Sequence, residues 1–182
     1  MTVAAAVRAP VDEVKSSVFE GMFTRALKPD AALREKLKVA GFDSDHVLDG
    51  YPRSVWRACV EVARQHLYAD LSIPDGERKL GGHFVEGFFQ TIVGRVMAVG
   101  FSAVGITRIL QRIPRYAMAL GGNDIKVILA GTTAMAHFTG AYHPHFVAGA
   151  LETGLSRAHP SLKVEVVRAR ASSFDLRLTW TA

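Results

Sequence analysis

With 182 residues, 49% of them hydrophobic, the chain is long enough to bury one sizeable core and short enough to favour a single domain. Its 22 Lys and Arg outnumber 17 Asp and Glu for a net charge of +5, too mild an excess to imply nucleic acid without a recognition motif. The single cysteine, Cys59, excludes an intramolecular disulfide and a thiolate metal cluster, and fits a reducing cytoplasm.

The opening MTVAAAVRAP lacks the basic lead, apolar run and cleavage pattern of a secretion signal, and residues 1–12 are expected to be flexible. VKSSVFEG reads as a short extended segment before a helical turn through Met22 to Leu27. Pro29 and Asp30 introduce AALREKLKVAG, a run of good helix formers with Gly41 as its stop. After the turn-rich DSDHVLDGYPRS, a helix is expected from about Arg53 to Tyr68, with Val55, Cys59, Val62 and His66 on its apolar side. Asp70 to Gly76 reads as a loop, and a long helical region begins near Glu77, broken around Gly100 to Ser102 and resumed through Thr107 to Ile113. Pro114 marks a kink or an end. The nearly uncharged Val96 to Ile106 is too short for a bilayer span, which needs about 20 apolar residues, so no membrane span is expected.

Beyond Gly121-Gly122-Asn123 the pattern changes period. IKVILA and TAMAHFT flank Gly131-Thr132 as strands flank a two-residue hairpin turn. Pro144 suits the first turn of a helix over about His145 to Ala158, which His159-Pro160 ends. Leu162, Val164 and Val166 then alternate with Lys163 and Glu165, as Phe174, Leu176, Leu178 and Trp180 alternate with Asp175, Arg177 and Thr179. Helices followed by strand, strand, helix, strand, strand predict an α+β fold, with N-terminal helices packed on one face of a four-stranded antiparallel sheet of ββαββ order. No repeat, low-complexity tract or linker divides it, so residues 1–182 are expected to share one core.

The segment GGHFVEGFFQTIVGRVMAVGFSAVG spends glycine where a packed helix would place leucine. On a helix, Gly87, Thr91, Gly94 and Ala98 form a stripe of small residues, beside a bulky stripe of Val85, Phe89, Ile92, Val96 and Val99. Each helical glycine costs about 0.5–1 kcal/mol relative to alanine, so the bare stripe needs a compensating contact. A neighbouring helix, a ligand or a symmetric mate would each supply one.

HFVEGFFQTIVGRVMA, RILQRIPRYAMALGGND, AYHPHFVAGALETGL and the closing FDLRLTW resemble a myxobacterial paralogous family of small proteins of unknown function, over nearly the whole chain. That family is similar, in its helices followed by ββαββ, to the domains that include four-vinyl-reductase-type sensors, haem nitric-oxide-binding domains and trafficking subunits of the transport-particle type. The resemblance implies a pocket, often apolar, between helices and sheet, and frequent dimerisation. The haem members carry a Tyr-x-Ser-x-Arg signature with a histidine ligand, and YPRSVWR at Tyr51 to Arg57 has a different spacing, so no haem or other cofactor is expected. Metal-binding cysteines of the vinyl-reductase type have no counterpart beyond Cys59, which reads as a small buried core residue.

Other constellations are weighed on their residues. His137, His143 and His145 suit a transition metal by type, but match no standard ligand spacing and have no adjacent carboxylate, so no metal is assigned. His137 can instead point into the core with Met135. Arg108, Arg112 and Arg115, at i, i+4 and i+7, share a helix face that is either a solvated basic surface or an anion-binding fork. Arg95 interrupts the most apolar helix; buried, it would demand an anionic partner, and it is read as the polar anchor of the pocket, with snorkelling or a structural salt bridge as alternatives. Glu86 and Gln90 are further polar candidates on another side of the same helix. No nucleophile elbow, phosphate loop or metal triad occurs.

The reading that follows is a non-catalytic cytoplasmic module that binds a small, largely apolar molecule and signals through a protein partner as a homodimer, with no nucleic-acid partner. Its expected ligand contacts are Phe84, Phe88, Phe89, Arg95, His137 and Tyr142, and its expected interface is Gly87, Thr91, Gly94 and Ala98. The alternative is an assembly module that dimerises through the glycine-rich helix without a ligand; a cryptic enzyme using Arg95 or the histidines is a third reading.

Overall fold

Alternation of apolar and polar residues builds a sheet with one packed face, and the C-terminal half of the chain does so in four strands. The computed structural model describes residues 13–90, 95, 105–119, 124–140, 143–156 and 158–181. β3 (Asp124–Ala130) and β4 (Thr133–Thr139) form the expected hairpin, with Gly131 at φ +60 in the turn. β5 (Lys163–Ala169) and β6 (Ser173–Thr179) follow, and the antiparallel order is β3-β4-β6-β5. Ala134, Ala136, Phe138, Val164, Phe174, Leu176 and Leu178 are buried on the inner face, where Phe138 and Phe174 stack with centroids 4.7 Å apart. A register shift between Val166 and Arg168 marks edge strand β5.

Among the described residues, the regular structure of the N-terminal half is helical apart from a short ribbon in which β1 (Glu13–Lys15) pairs antiparallel with β2 (Gly50–Pro52). β2 falls inside a stretch that reads as turn, because its partner lies far away in sequence. A single turn, α1 (Ser16–Phe19), runs into a π-helix (Glu20–Ala26), where the Leu27 amide donates to the Met22 carbonyl at 3.1 Å. In α2 (Ala31–Val39) the Asp30 carboxylate accepts from the Leu33 amide at 2.7 Å as N-cap, and Gly41 at φ +105 lets the chain leave the helix. α3 (Arg53–Leu67) buries Cys59, Val60 and Ala63, with Val55 and Val62 only partly covered, so its core face is rotated from the expected stripe.

α4 (Ile73–Phe89) starts four residues before the expected Glu77. Ser72 caps it by accepting from the Asp75 amide at 3.2 Å, and Pro74 sits in the first turn, where its missing N–H costs nothing. The break expected around Gly100 to Ser102 lies outside the described residues. α5 (Ile106–Ala119) continues through Pro114 instead of ending there. Ile106, Ile109 and Leu110 are buried, and Ile113 and Ala117 pack on the same core, so burial of the stripe outweighs the hydrogen bond that proline forgoes. α6 (Pro144–Ser156) completes the ββαββ order.

Two hydrophobic clusters result among the described residues. One joins the sheet to α5 and α6; the other gathers Phe19, Phe23, Phe42, Tyr51 and residues of α2 to α4. α4 and α6 connect them by a reciprocal glycine contact. A Cβ on Gly81 would overlap the Phe146 carbonyl, and one on Gly149 would overlap the backbone of Arg78, so neither helix can carry a side chain at the crossing. Arg78 then donates to Glu152 (2.6 Å) and to the Val164 carbonyl (2.7 Å), while Glu152 accepts from the Val164 amide (3.0 Å), tying α4, α6 and β5 together.

Candidate functional site

On α4, Phe84, Val85, Phe88 and Phe89 follow one another at helical spacing along one side. Their ends face Ile113, Tyr116 and Ala117 of α5 and Ala150, Leu151, Gly154 and Leu155 of α6, and between the three helices lies a cavity of about 160 Å³. No polar atom of these residues contributes to its wall. Small residues make the space: Ala117, Ala150 and Gly154 stand where larger side chains would fill it.

The aromatic wall is fixed from behind. The Phe84 ring packs on Phe146 at 5.7 Å, edge-on to Trp56 at 5.9 Å, and stacks on Phe88 at 6.2 Å, with Phe89 a further 6.2 Å from Phe88. Trp56 in turn meets Phe19 and Phe23 at 5.2 Å each, so the cavity rings continue into the N-terminal cluster.

The structure brings three of the expected contact residues, Phe84, Phe88 and Phe89, to this cavity and separates Arg95 and His137 from it. Arg95 is exposed to solvent, not buried in an apolar helix, and is not part of the lining; its charge is hydrated, so no buried anionic partner is required. Glu86 and Gln90 are exposed as well. His137 lies on the outer face of the sheet, because strand alternation points it away from Ala136 and Phe138, and its exposed Nδ1 sits 2.6 Å from Asp175 Oδ1. Its expected core or pocket position is corrected accordingly. Gly87 is not free for a partner chain: it is buried against the π-helix, where a Cβ would overlap the Gly21 carbonyl and lie 2.5 Å from Ala26 Cβ. Thr91, Gly94, Ala98 and Tyr142 lie outside the described residues. Arg108, Arg112 and Arg115 are all exposed along α5.

The remaining histidines are part of an arrangement that sequence spacing does not reveal. His143, at φ +60 just before α6, has Nδ1 2.7 Å from Oε1 of the buried Glu77. His143 Nε2 and His145 Nδ1 are both buried without a hydrogen-bond partner among the described residues. Burial pushes the His145 pKa down. Among the described residues no three His, Cys, Asp or Glu side chains converge as a metal site. Cys59 is buried and its thiol is pushed up to about 12 by desolvation, which makes it a poor nucleophile.

Comparison with known proteins bears on this geometry. An H-NOX protein from S. oneidensis in the Fe(II) ligation state matches with a TM-score of 0.69 at 13% identity, covering 92% of this chain and 96% of that one. A structure from work on heme distortion in the H-NOX family gives a TM-score of 0.67 at 14% identity, covering 92% and 95%. An oxygen-binding H-NOX domain related to soluble guanylate cyclases gives 0.64 at 14% identity, covering 92% of each chain. At these identities the likeness shows the fold: mixed α+β and H-NOX-like. No curated protein matches the chain in sequence. A family model described as "Protein of unknown function (DUF2378)" matches residues 13–181.

The haem that this fold family implies can be tested against the cavity. Its described lining contains no His, Cys or Met, and Tyr116, the one lining side chain with a heteroatom, turns no polar atom into it. A volume of about 160 Å³ is also below the roughly 300–1,000 Å³ of pockets that hold drug-sized ligands. The described residues of this cavity do not fit a haem.

Proposed function

The chain belongs to the DUF2378 family of proteins of unknown function, and on that footing we propose that it is a sensory domain that binds a small molecule and performs no catalysis of its own. The observation that carries this reading is the apolar cavity walled by α4, α5 and α6 within an H-NOX-like fold. A wall of aromatic and aliphatic side chains retains a ligand by excluding water and offers no group to attack a bond. Occupancy would act on the three helices that share the wall, two of which also pack on the sheet.

The domain works in the cytoplasm as a homodimer and passes its state to a protein partner. Support for the location is the single buried cysteine, together with the absence, among the described residues, of a helix long and apolar enough to cross a membrane. Gly87 is occupied by the chain's own π-helix, so Gly87 itself does not make the dimer contact.

The deciding experiment is mass analysis of gently purified protein, intact under native conditions and again after organic extraction. A small molecule released at up to one equivalent per chain is the expected result. Protein that carries nothing, and whose melting no member of a small-molecule library shifts, would contradict the reading.

A further inference from the structure

Resting on the ligand-binding reading above, we infer that the cavity takes a compact, neutral, hydrocarbon-like molecule of about benzene size, held directly by the protein without haem. Size is the first reason. At about 160 Å³ the space, though partly open to solvent, is close in size to the engineered cavity of about 150 Å³, lined by Leu, Ile and Phe, that binds benzene or xenon. The lining here has the same chemistry, with Phe84, Phe88, Ile113, Leu151 and Leu155 around it.

Polarity is the second. Because no described lining atom is polar, a carboxylate or amine inside would be desolvated with nothing to pair with, and even a hydroxyl would lose its hydrogen bonds to water. Neutral hydrocarbon surface pays none of these costs. The third reason is ring geometry: Phe84, Phe88 and Phe89 succeed one another at 6.2 Å centroid spacings with tilts of 25° and 48°, an aromatic wall against which an apolar guest can pack. The described lining, which offers no haem ligand, and the small volume point the same way: the guest is recognised by shape, not by an iron.

The cavity can be filled without breaking the fold. A Cβ at Gly154 would make ordinary contact with Val85 Cγ1 at 3.5 Å, so Gly154→Val projects into the open volume; Ala117→Leu does so from α5. The full-length chain is titrated with benzene, with benzoate and with haemin, following protein NMR shifts for the first two and haem absorbance for the third. Expected are saturable benzene shifts centred on the α4, α5 and α6 lining, benzoate weaker by about tenfold or more, and no stoichiometric haemin complex. Both filling variants should lose the benzene shifts while keeping their circular dichroism; if one does not fold, the other decides.

Benzoate that binds as well as benzene, benzene shifts that survive both folded variants, or no benzene binding at all would overturn the inference. Haemin bound one to one and displaced by Gly154→Val would overturn it too, yet leave the ligand-binding reading standing. A copurifying ligand of another chemical class would separate the two in the same way.

Discussion

Substituting Gly81 with alanine tests the helix crossing on which the cavity depends. In an isolated helix the change stabilises by about 0.5–1 kcal/mol, because glycine is the poorer helix former. Here the new Cβ would overlap the Phe146 carbonyl and lie 2.7 Å from the Ala150 amide nitrogen, both backbone atoms of α6 that cannot rotate away. The helices must separate, and overpacking of this kind costs about 1–3 kcal/mol. The net expectation is a loss of up to about 2.5 kcal/mol, centred near 1 kcal/mol, which at that centre lowers Tm by about 2–4 °C for a chain of this size. Gly82→Ala is the control, since its Cβ would meet only the Thr153 hydroxyl at 3.0 Å, a side chain free to turn. Urea denaturation of both variants measures the difference. If Gly81→Ala is as stable as Gly82→Ala, the backbone contact between α4 and α6 is not what the glycines are for.

Gly87→Leu should destabilise the chain by crowding the Gly21 carbonyl and Ala26, without altering subunit number in light scattering; a stable monomer made from a dimer would restore Gly87 to an interface. Burial holds His145 below its usual 6.5, with Arg78 acting in the same direction and Glu77 and Asp75 against it. The folded chain therefore binds fewer protons there than the unfolded one, so this contribution to stability is complete above about pH 6.5 and is lost as pH falls through the lowered pKa. His145→Gln should give a shallower fall in stability over that range, and an unchanged slope would refute the assignment. With its thiol pushed up to about 12 and no solvent access, Cys59 should resist a thiol reagent at pH 8 until denaturant is added; rapid labelling of the native chain would contradict this.

Local signals carried much of the architecture. The Gly131-Thr132 turn, the alternation through β5 and β6, and Pro144 at the start of α6 are all encoded within a few residues, and the observed elements follow them. Where an element depends on distant partners, local signals do not specify it. β2 exists because β1 pairs with it, and α5 passes Pro114 because a buried stripe lies on both sides. The site divides in the same way. Phe84, Phe88 and Phe89 are recognisable as a cluster on one helix, but Ile113, Tyr116, Leu151 and Leu155 join them only through the packing of α5 and α6. Glu77 carries no local mark of its contact with His143, 66 residues away. Arg95 misleads because an apolar neighbourhood in sequence need not be a buried one in space.

The glycine-rich segment that raised the question of a missing contact is answered in its described part by the chain itself. Gly81 meets α6 and Gly87 meets the π-helix, so these glycines bring backbones together, and Phe84 and Phe88, one and two turns on from Gly81 on the same face, wall the cavity where α4 and α6 part.

The most direct test of a ligand-binding cavity is X-ray diffraction from crystals of the full-length protein pressurised with xenon. The account predicts an anomalous peak among Phe84, Ile113, Leu151 and Leu155, lost in Gly154→Val. Diffraction with no xenon there, or with protein side chains filling the space, would contradict it.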